Sequence, residues 1–96
     1  MPIRGFANDA VRRFFEEGEV AQRVGWARIA GVVARKLDLL DYAETLRDLA
    51  SPPGNRLEAL KGRLKGWHSI RVNDQWRVIF RWSESGPTDV DVVDYH

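Results

Sequence analysis

Apolar residues recur every three or four positions in the first half of the chain and every two positions in the second. Val11, Phe14 and Phe15 share one side of a predicted helix that Asn8 or Asp9 can cap and Gly18 can end. Trp26, Ile29, Ala30, Val33, Leu37 and Leu40 form a longer stripe, which predicts a second helix from about residue 25 to 40. Arg28, Arg35 and Lys36 fill the polar positions between. A helical hairpin is therefore expected before residue 45. Ahead of it, "PIRGF" alternates weakly and suits a short first strand.

"ASPPGNR" interrupts this pattern, because Pro52 and Pro53 deny helix and Gly54-Asn55 permits a tight turn. Beyond it the period is two. His68, Ile70 and Val72 face one way in "WHSIRVN", and Ser69, Arg71 and Asn73 the other. In "WRVIFRW", Trp76, Val78, Phe80 and Trp82 share a face opposite Arg77, Ile79 and Arg81. "NDQ" and "SESGP" are turns, and "TDVDVVDYH" is a last strand with Val90 and Val92 inward. The expected class is α+β: two N-terminal helices packed on one face of a small antiparallel sheet, in one domain spanning residues 1–96. The other face displays Arg71, Arg77 and Arg81.

Composition adds limits. The chain is 44% hydrophobic with four Trp and four Phe, enough for a core and against disorder. No cysteine is present, which excludes disulfides, thiolate zinc sites and a thiol nucleophile. Two histidines, His68 and His96, are too few for a convincing metal site, so no cofactor is expected. Phosphate-binding glycine loops, dinucleotide fingerprints and HExxH are absent. With no apolar run long enough to span a bilayer and no signal-peptide pattern, a soluble cytoplasmic protein without a membrane partner is expected.

Net charge is only +1, yet it is unevenly placed. Residues 56–82 hold seven basic residues (Arg56, Lys61, Arg63, Lys65, Arg71, Arg77, Arg81) against two acidic ones (Glu58, Asp74). That stretch points to an anionic partner; a solvated sheet face paired with Asp89 and Asp91 is the plain alternative. Metal-free RNA cleavage fits such a face. A base takes the proton of the 2′-OH, an acid protonates the departing 5′ oxygen, and cations hold the phosphorane. Glu58, Tyr95 and His96 are the proton-transfer candidates, and arginine forks match phosphate oxygens. Trp67, after Gly66, is a stacking candidate with edge packing as its alternative. His68 reads as a packed histidine, Tyr95 also as edge packing, and Asp94 also as a strand-end cap.

"SPPGNRLEALKG", "WHSIRVNDQWRVIFRW" and "VVDYH" together resemble the HigB toxins of the RelE/ParE superfamily, over residues 46–96. The resemblance implies a RelE-like fold and the toxin of a type II toxin–antitoxin system. It further implies a metal-independent, ribosome-dependent mRNA endonuclease that arrests translation and growth. Its implied partners are mRNA, the ribosome and a HigA-like helix-turn-helix antitoxin in a hetero-oligomeric complex. The family's Asp-Tyr-His falls on Asp94, Tyr95 and His96, its Lys before Gly on Lys61, and its Trp-Arg pair on Trp76 and Arg77. Where certain members carry a catalytic His, this chain has Glu58, which weakens a two-histidine mechanism. The implied catalytic set is Glu58, Lys61, Arg77, Asp94, Tyr95 and His96, and the implied RNA-binding set is Arg56, Arg63, Lys65, Trp67, Arg71 and Arg81. ParE-type members of the superfamily act on gyrase, so a non-catalytic interaction module is the alternative.

Overall fold

The structure is a computed structural model, and it describes residues 1–95. Helix α1 spans Asp9–Glu17 and α2 spans Ala30–Tyr42. Four strands follow: β1 Glu58–Ala59, β2 Trp67–Arg71, β3 Trp76–Ser83 and β4 Gly86–Asp94. They form one antiparallel meander in the order β1-β2-β3-β4.

The ends of α1 follow from its flanking residues. Asn8 Oδ1 accepts from the Ala10 N–H at 2.8 Å, satisfying one of the free donors at the helix start. Gly18 closes the helix in the left-handed region at φ 72°, and its N–H donates to Phe14 O. The second helix begins later than its stripe predicts. Trp26 precedes a 3₁₀ turn at Ala27–Ile29, and the α-helix starts at Ala30. A spacing of three suits a 3₁₀ turn as well as an α-helix, so periodicity alone does not separate them. Gly25 ahead of the turn is in close contact: a Cβ there would stand 2.6 Å from the Trp76 ring. With residues 18–29 between the helices, the connection is far longer than a tight hairpin turn.

Val11, Trp26, Val33, Leu37 and Leu40 from the helical half meet Ile70, Val78, Phe80, Val90 and Val92 from the sheet in one core. The register explains the face: His68 stands opposite Phe80, and Ile70 opposite Val78, itself opposite Val92. Trp76 and Trp82 pack against this core, as their alternation implies. "PIRGF" is not a strand of the sheet. It runs along the outer edge of β4, where Arg4 N donates to Pro87 O, Val90 N to Gly5 O, and Ala7 N to Val90 O. Its one bridge, Phe6 with Val90, is parallel.

Strand β4 carries a bulge. Ile79 pairs with Asp91 but Arg81 pairs with Thr88, so Asp89 and Val90 together oppose Phe80. Asp89 takes the left-handed conformation, φ 52°. The extra residue resets the alternation so that Pro87, Val90 and Val92 are all buried. Among the described residues no helix is long and apolar enough to cross a membrane.

Candidate active site

The sheet face away from the core carries three cross-strand rows. Glu58, Ser69, Ile79 and Asp91 form one; Arg71, Arg77 and Val93 the next; Trp67, Arg81 and Thr88 the third. This face is not uniformly open, because Arg77 is only 7% exposed, Ile79 is buried and Ser69 is fully buried. The sequence reading, which displays Arg77 to solvent beside Arg71 and Arg81, is corrected here. Glu58, the Arg56 carbonyl and the Tyr95 ring stand against Arg77 on this face.

Arg77 is held on three sides. Its Nη1 lies 3.5 Å from Glu58 Oε1 and 3.5 Å from the Arg56 carbonyl oxygen. Its Cζ stands 4.5 Å from the centre of the Tyr95 ring, a cation–π contact. Glu58 and Tyr95 are therefore brought together by one guanidinium, although they sit at opposite edges of the sheet and 37 positions apart in sequence. The alternative ion pairs of Arg71, Arg77 and Arg81 with Asp89 and Asp91 do not form among the described residues. Arg71 pairs with Asp74, Arg77 with Glu58, and Asp91 Oδ1 accepts from the Val92 N–H. The bulge sets Thr88, and not an aspartate, opposite Arg81.

Beside this cluster lies a cleft of about 490 Å³, lined by Leu60, Lys61, Leu64, Ile79, Val93, Asp94 and Tyr95. Leu60, Leu64, Ile79 and Val93 make its lining largely apolar, and Lys61, Asp94 and Tyr95 are its polar members. Leu60 N donates to Trp67 O, and a 3₁₀ turn at Gly62–Leu64 carries Lys61 at its start. Gly62 at φ 65° and Gly66 at φ 94° permit the reversal that brings Lys61 to the cleft. Asp94 Oδ2 accepts from Gln75 Nε2 at 3.0 Å, and the Tyr95 N–H donates to Gln75 O, fixing the strand end. The strand end thus places Tyr95 on the Arg77 face. His96 lies outside the described residues.

Of the other cations in the basic stretch, Arg56, Arg63, Lys65 and Arg81 are exposed. Arg81 Cζ stands 5.8 Å from the Trp67 ring centre, so cation and indole form one surface directly across β2 and β3. Arg71 is half-buried against Asp74 and is the least available of these cations. His68 lies on the other face, stacked on Phe80 at 6.0 Å, and burial lowers its pKa. It takes no part in the cleft. Among the described residues no three His, Asp or Glu side chains cluster as a metal site.

Leu60, Leu64, Ile79 and Val93 are cleft residues that the sequence reading does not pick out. The only signal for the two leucines is their position on either side of Lys61 in the basic stretch. A cation, a carboxylate and a phenol around an apolar cleft suit a ligand with a negative group and a flat ring.

Residues 4–96 match the family of HigB-like toxins, described as the RelE-like toxin of the type II toxin–antitoxin system HigB. The chain is similar to Toxin HigB-1 of Vibrio cholerae, 46% identical over 77 residues, which is 80% of each chain. It is also similar to an uncharacterized Haemophilus influenzae protein, 36% identical over 80 residues, covering 83% of this chain and 78% of that one. Among solved structures, the YoeB-YefM complex from Staphylococcus aureus shares the fold with TM-score 0.54 and 17% identity, over 100% of this chain and 97% of the other. The YoeB/ParE toxin from Agrobacterium tumefaciens matches with TM-score 0.52 and 21% identity, over 100% and 99%.

Proposed function

Because the chain belongs to the HigB-like toxin family, RelE-like toxins of type II toxin–antitoxin systems, we propose that it arrests translation by cutting mRNA on the ribosome as a metal-independent endoribonuclease. The 2′-oxygen attacks the adjacent phosphorus and the P–O5′ bond breaks, leaving a 2′,3′-cyclic phosphate and a 5′-hydroxyl. One proton leaves the 2′-OH and one reaches the 5′ oxygen, so the protein has to accept one and donate one.

The observation that carries this reading is the cleft edge, where Lys61, Tyr95 and the Glu58–Arg77 pair converge. Lys61, exposed at the rim, neutralises the phosphorane. Arg77 donates its remaining N–H groups to the same oxygens and holds Glu58 in place. Glu58 accepts the 2′-OH proton, in the position where other members have histidine. His96 protonates the leaving oxygen as its general acid. Tyr95 stacks on or hydrogen-bonds to the scissile nucleotide. Arg56, Arg63, Lys65, Arg71, Arg81 and Trp67 bind the RNA chain on either side. A HigA-like helix-turn-helix antitoxin neutralises the toxin in a hetero-oligomeric complex in the cytoplasm, and the toxin works as one domain.

Primer extension on mRNA, with and without translating ribosomes, tests the reading. Cuts that appear only with ribosomes and disappear with Lys61→Ala support it. Absent cleavage together with loss of gyrase supercoiling activity replaces it with a gyrase-directed toxin.

A further inference from the structure

Asn55 is fully buried, polar, and untouched by the mechanism above. Its Nδ2 donates to Leu49 O at 3.1 Å and to Ser51 O at 3.2 Å. Its Oδ1 accepts from Lys36 Nζ at 2.5 Å. Both protons of the amide and its oxygen are thus engaged, which a side chain without that geometry cannot reproduce. Lys36 comes from α2, in the helical layer, and burial with Arg35 and Arg71 nearby lowers its pKa. The amide clamps the segment from Leu49 to Arg56 on itself, assisted by Asn55 N to Pro52 O and Arg56 N to Pro53 O.

The segment ends on Arg56, in the left-handed region at φ 45°. Its carbonyl oxygen is the backbone acceptor for Arg77 Nη1. The chain of contacts therefore runs from α2 through Lys36 and Asn55 to the Arg56 carbonyl, and from there to the guanidinium between Glu58 and Tyr95. Without the Arg56 carbonyl, Arg77 keeps one carboxylate and one ring. Neither fixes the rotation of the planar fork, because the carboxylate is on a half-exposed side chain and a ring face is not directional.

We propose that Asn55, locked by Lys36, is a positioning residue that sets the orientation of Arg77 through the Arg56 carbonyl. The catalytic part of this inference rests on the ribonuclease reading; the structural part does not. Asn55 stays outside the cleft, and its effect on chemistry passes entirely through Arg77. Misplacing a catalytic group by a fraction of its reach is costly in rate even when binding is unchanged.

The test uses Asn55→Asp and Lys36→Met, with Arg35→Met as a surface control. Lys36→Met keeps the buried amide and its two backbone contacts, so it remains informative where Asn55→Asp does not fold. Two readouts are taken on the full chain: the side-chain ¹⁵Nε–¹Hε resonance of Arg77, and cleavage rates on translating ribosomes. The expected result is a displaced Arg77 resonance in Lys36→Met and none in Arg35→Met. The turnover rate falls roughly tenfold with KM unchanged. In an Arg77→Lys background the same substitution adds no further loss, since the group being aimed is gone. An Arg77 resonance that stays in place in folded Lys36→Met overturns the inference. So does a rate loss that multiplies with that of Arg77→Lys. If the wild-type protein cuts no RNA, the ribonuclease reading fails, and the resonance still decides whether Asn55 and Lys36 orient Arg77.

Discussion

An arginine that is 7% exposed and faces one carboxylate differs from a solvated lysine, even within one proposed site. Lys61 is exposed at the cleft. Lys61→Ala should therefore keep the melting temperature within a degree or two while lowering ribosomal mRNA cleavage about a hundredfold, or ~3 kcal/mol of transition-state stabilisation. Arg77→Ala should lower both, because the guanidinium fills space under Tyr95. A stability loss of about 1–3 kcal/mol is expected for emptying such a buried position. Thermal melts beside cleavage assays separate the two; equal melts for both variants would return Arg77 to the surface. The basic stretch and the quoted motifs already marked both residues. Burial of Arg77 was not legible, because alternation says which face a side chain takes and not what covers that face. Here the neighbours are Glu58, the Arg56 carbonyl and Tyr95, which follows the end of β4. Asp91 makes a separate case. Burial raises its pKa above the ordinary 3.8, partly offset by hydrogen bonds from the Val92 N–H and Asn8. A raised carboxylate pKa means the folded state binds the proton more tightly, so Asp91 favours folding below about pH 3.8 and that contribution is lost as pH rises through the raised value. Asp91→Asn keeps the acceptor and removes the buried charge. Its melting temperature should exceed wild type at pH 7, and the advantage should vanish near pH 3.5; an advantage that persists in acid would trace to something other than ionisation.

At the scale of elements, the strand pattern in "TDVDVVDYH" was legible but the way the chain achieves it was not. Alternation puts Val90 and Val92 inward, as found, yet the simple pairing continued from Thr88 would turn both outward. One extra residue, Asp89 in the left-handed region, corrects the register. No single residue type announces a bulge, and Asp is among the few that tolerate this conformation. Asp89→Val should thus cost about 1–2 kcal/mol, a fall of roughly 4–16 °C in melting temperature for a domain of this size. Asp89→Gly should hold or slightly raise it. Equal melts for the two would show that the bulge conformation is not the constraint. The other departures have similar causes. The stripe over Trp26–Leu40 predicts one helix because 3₁₀ and α turns share a spacing of three. "PIRGF" alternates like a strand but spends its hydrogen bonds along one edge of β4, and weak alternation does not distinguish edge segment from strand.

Across the whole molecule, the helices close one face of the sheet and leave the basic half to work on the other. Lys61 lines a cleft of about 490 Å³, and Arg56, Arg63, Lys65 and Arg81 are exposed cations of the same basic stretch. Such a set of cations binds any RNA backbone, with an affinity that falls steeply with salt and carries no sequence preference. Binding alone does not align a 2′-oxygen with the opposite P–O5′ bond. Among the described residues the cleft offers few groups to enforce that alignment: one guanidinium already engaged by Glu58, one phenol, one lysine, and an apolar lining of Leu60, Leu64, Ile79 and Val93 that makes no directional contact. Alignment is worth several kcal/mol of a barrier when it is supplied in advance. A site this sparse needs its substrate presented, and a translating ribosome holds mRNA in a fixed path. The expected outcome is efficient cutting of mRNA in translating ribosomes and scarcely any cutting of the same transcript free in solution. Lowering the salt should tighten binding of free RNA in a filter assay without restoring its cleavage, because the missing quantity is orientation and not affinity. Free RNA cut at a comparable rate at low enzyme concentration would show that the cleft aligns its substrate unaided, and the proton-transfer set would then have to be larger than Glu58 and His96.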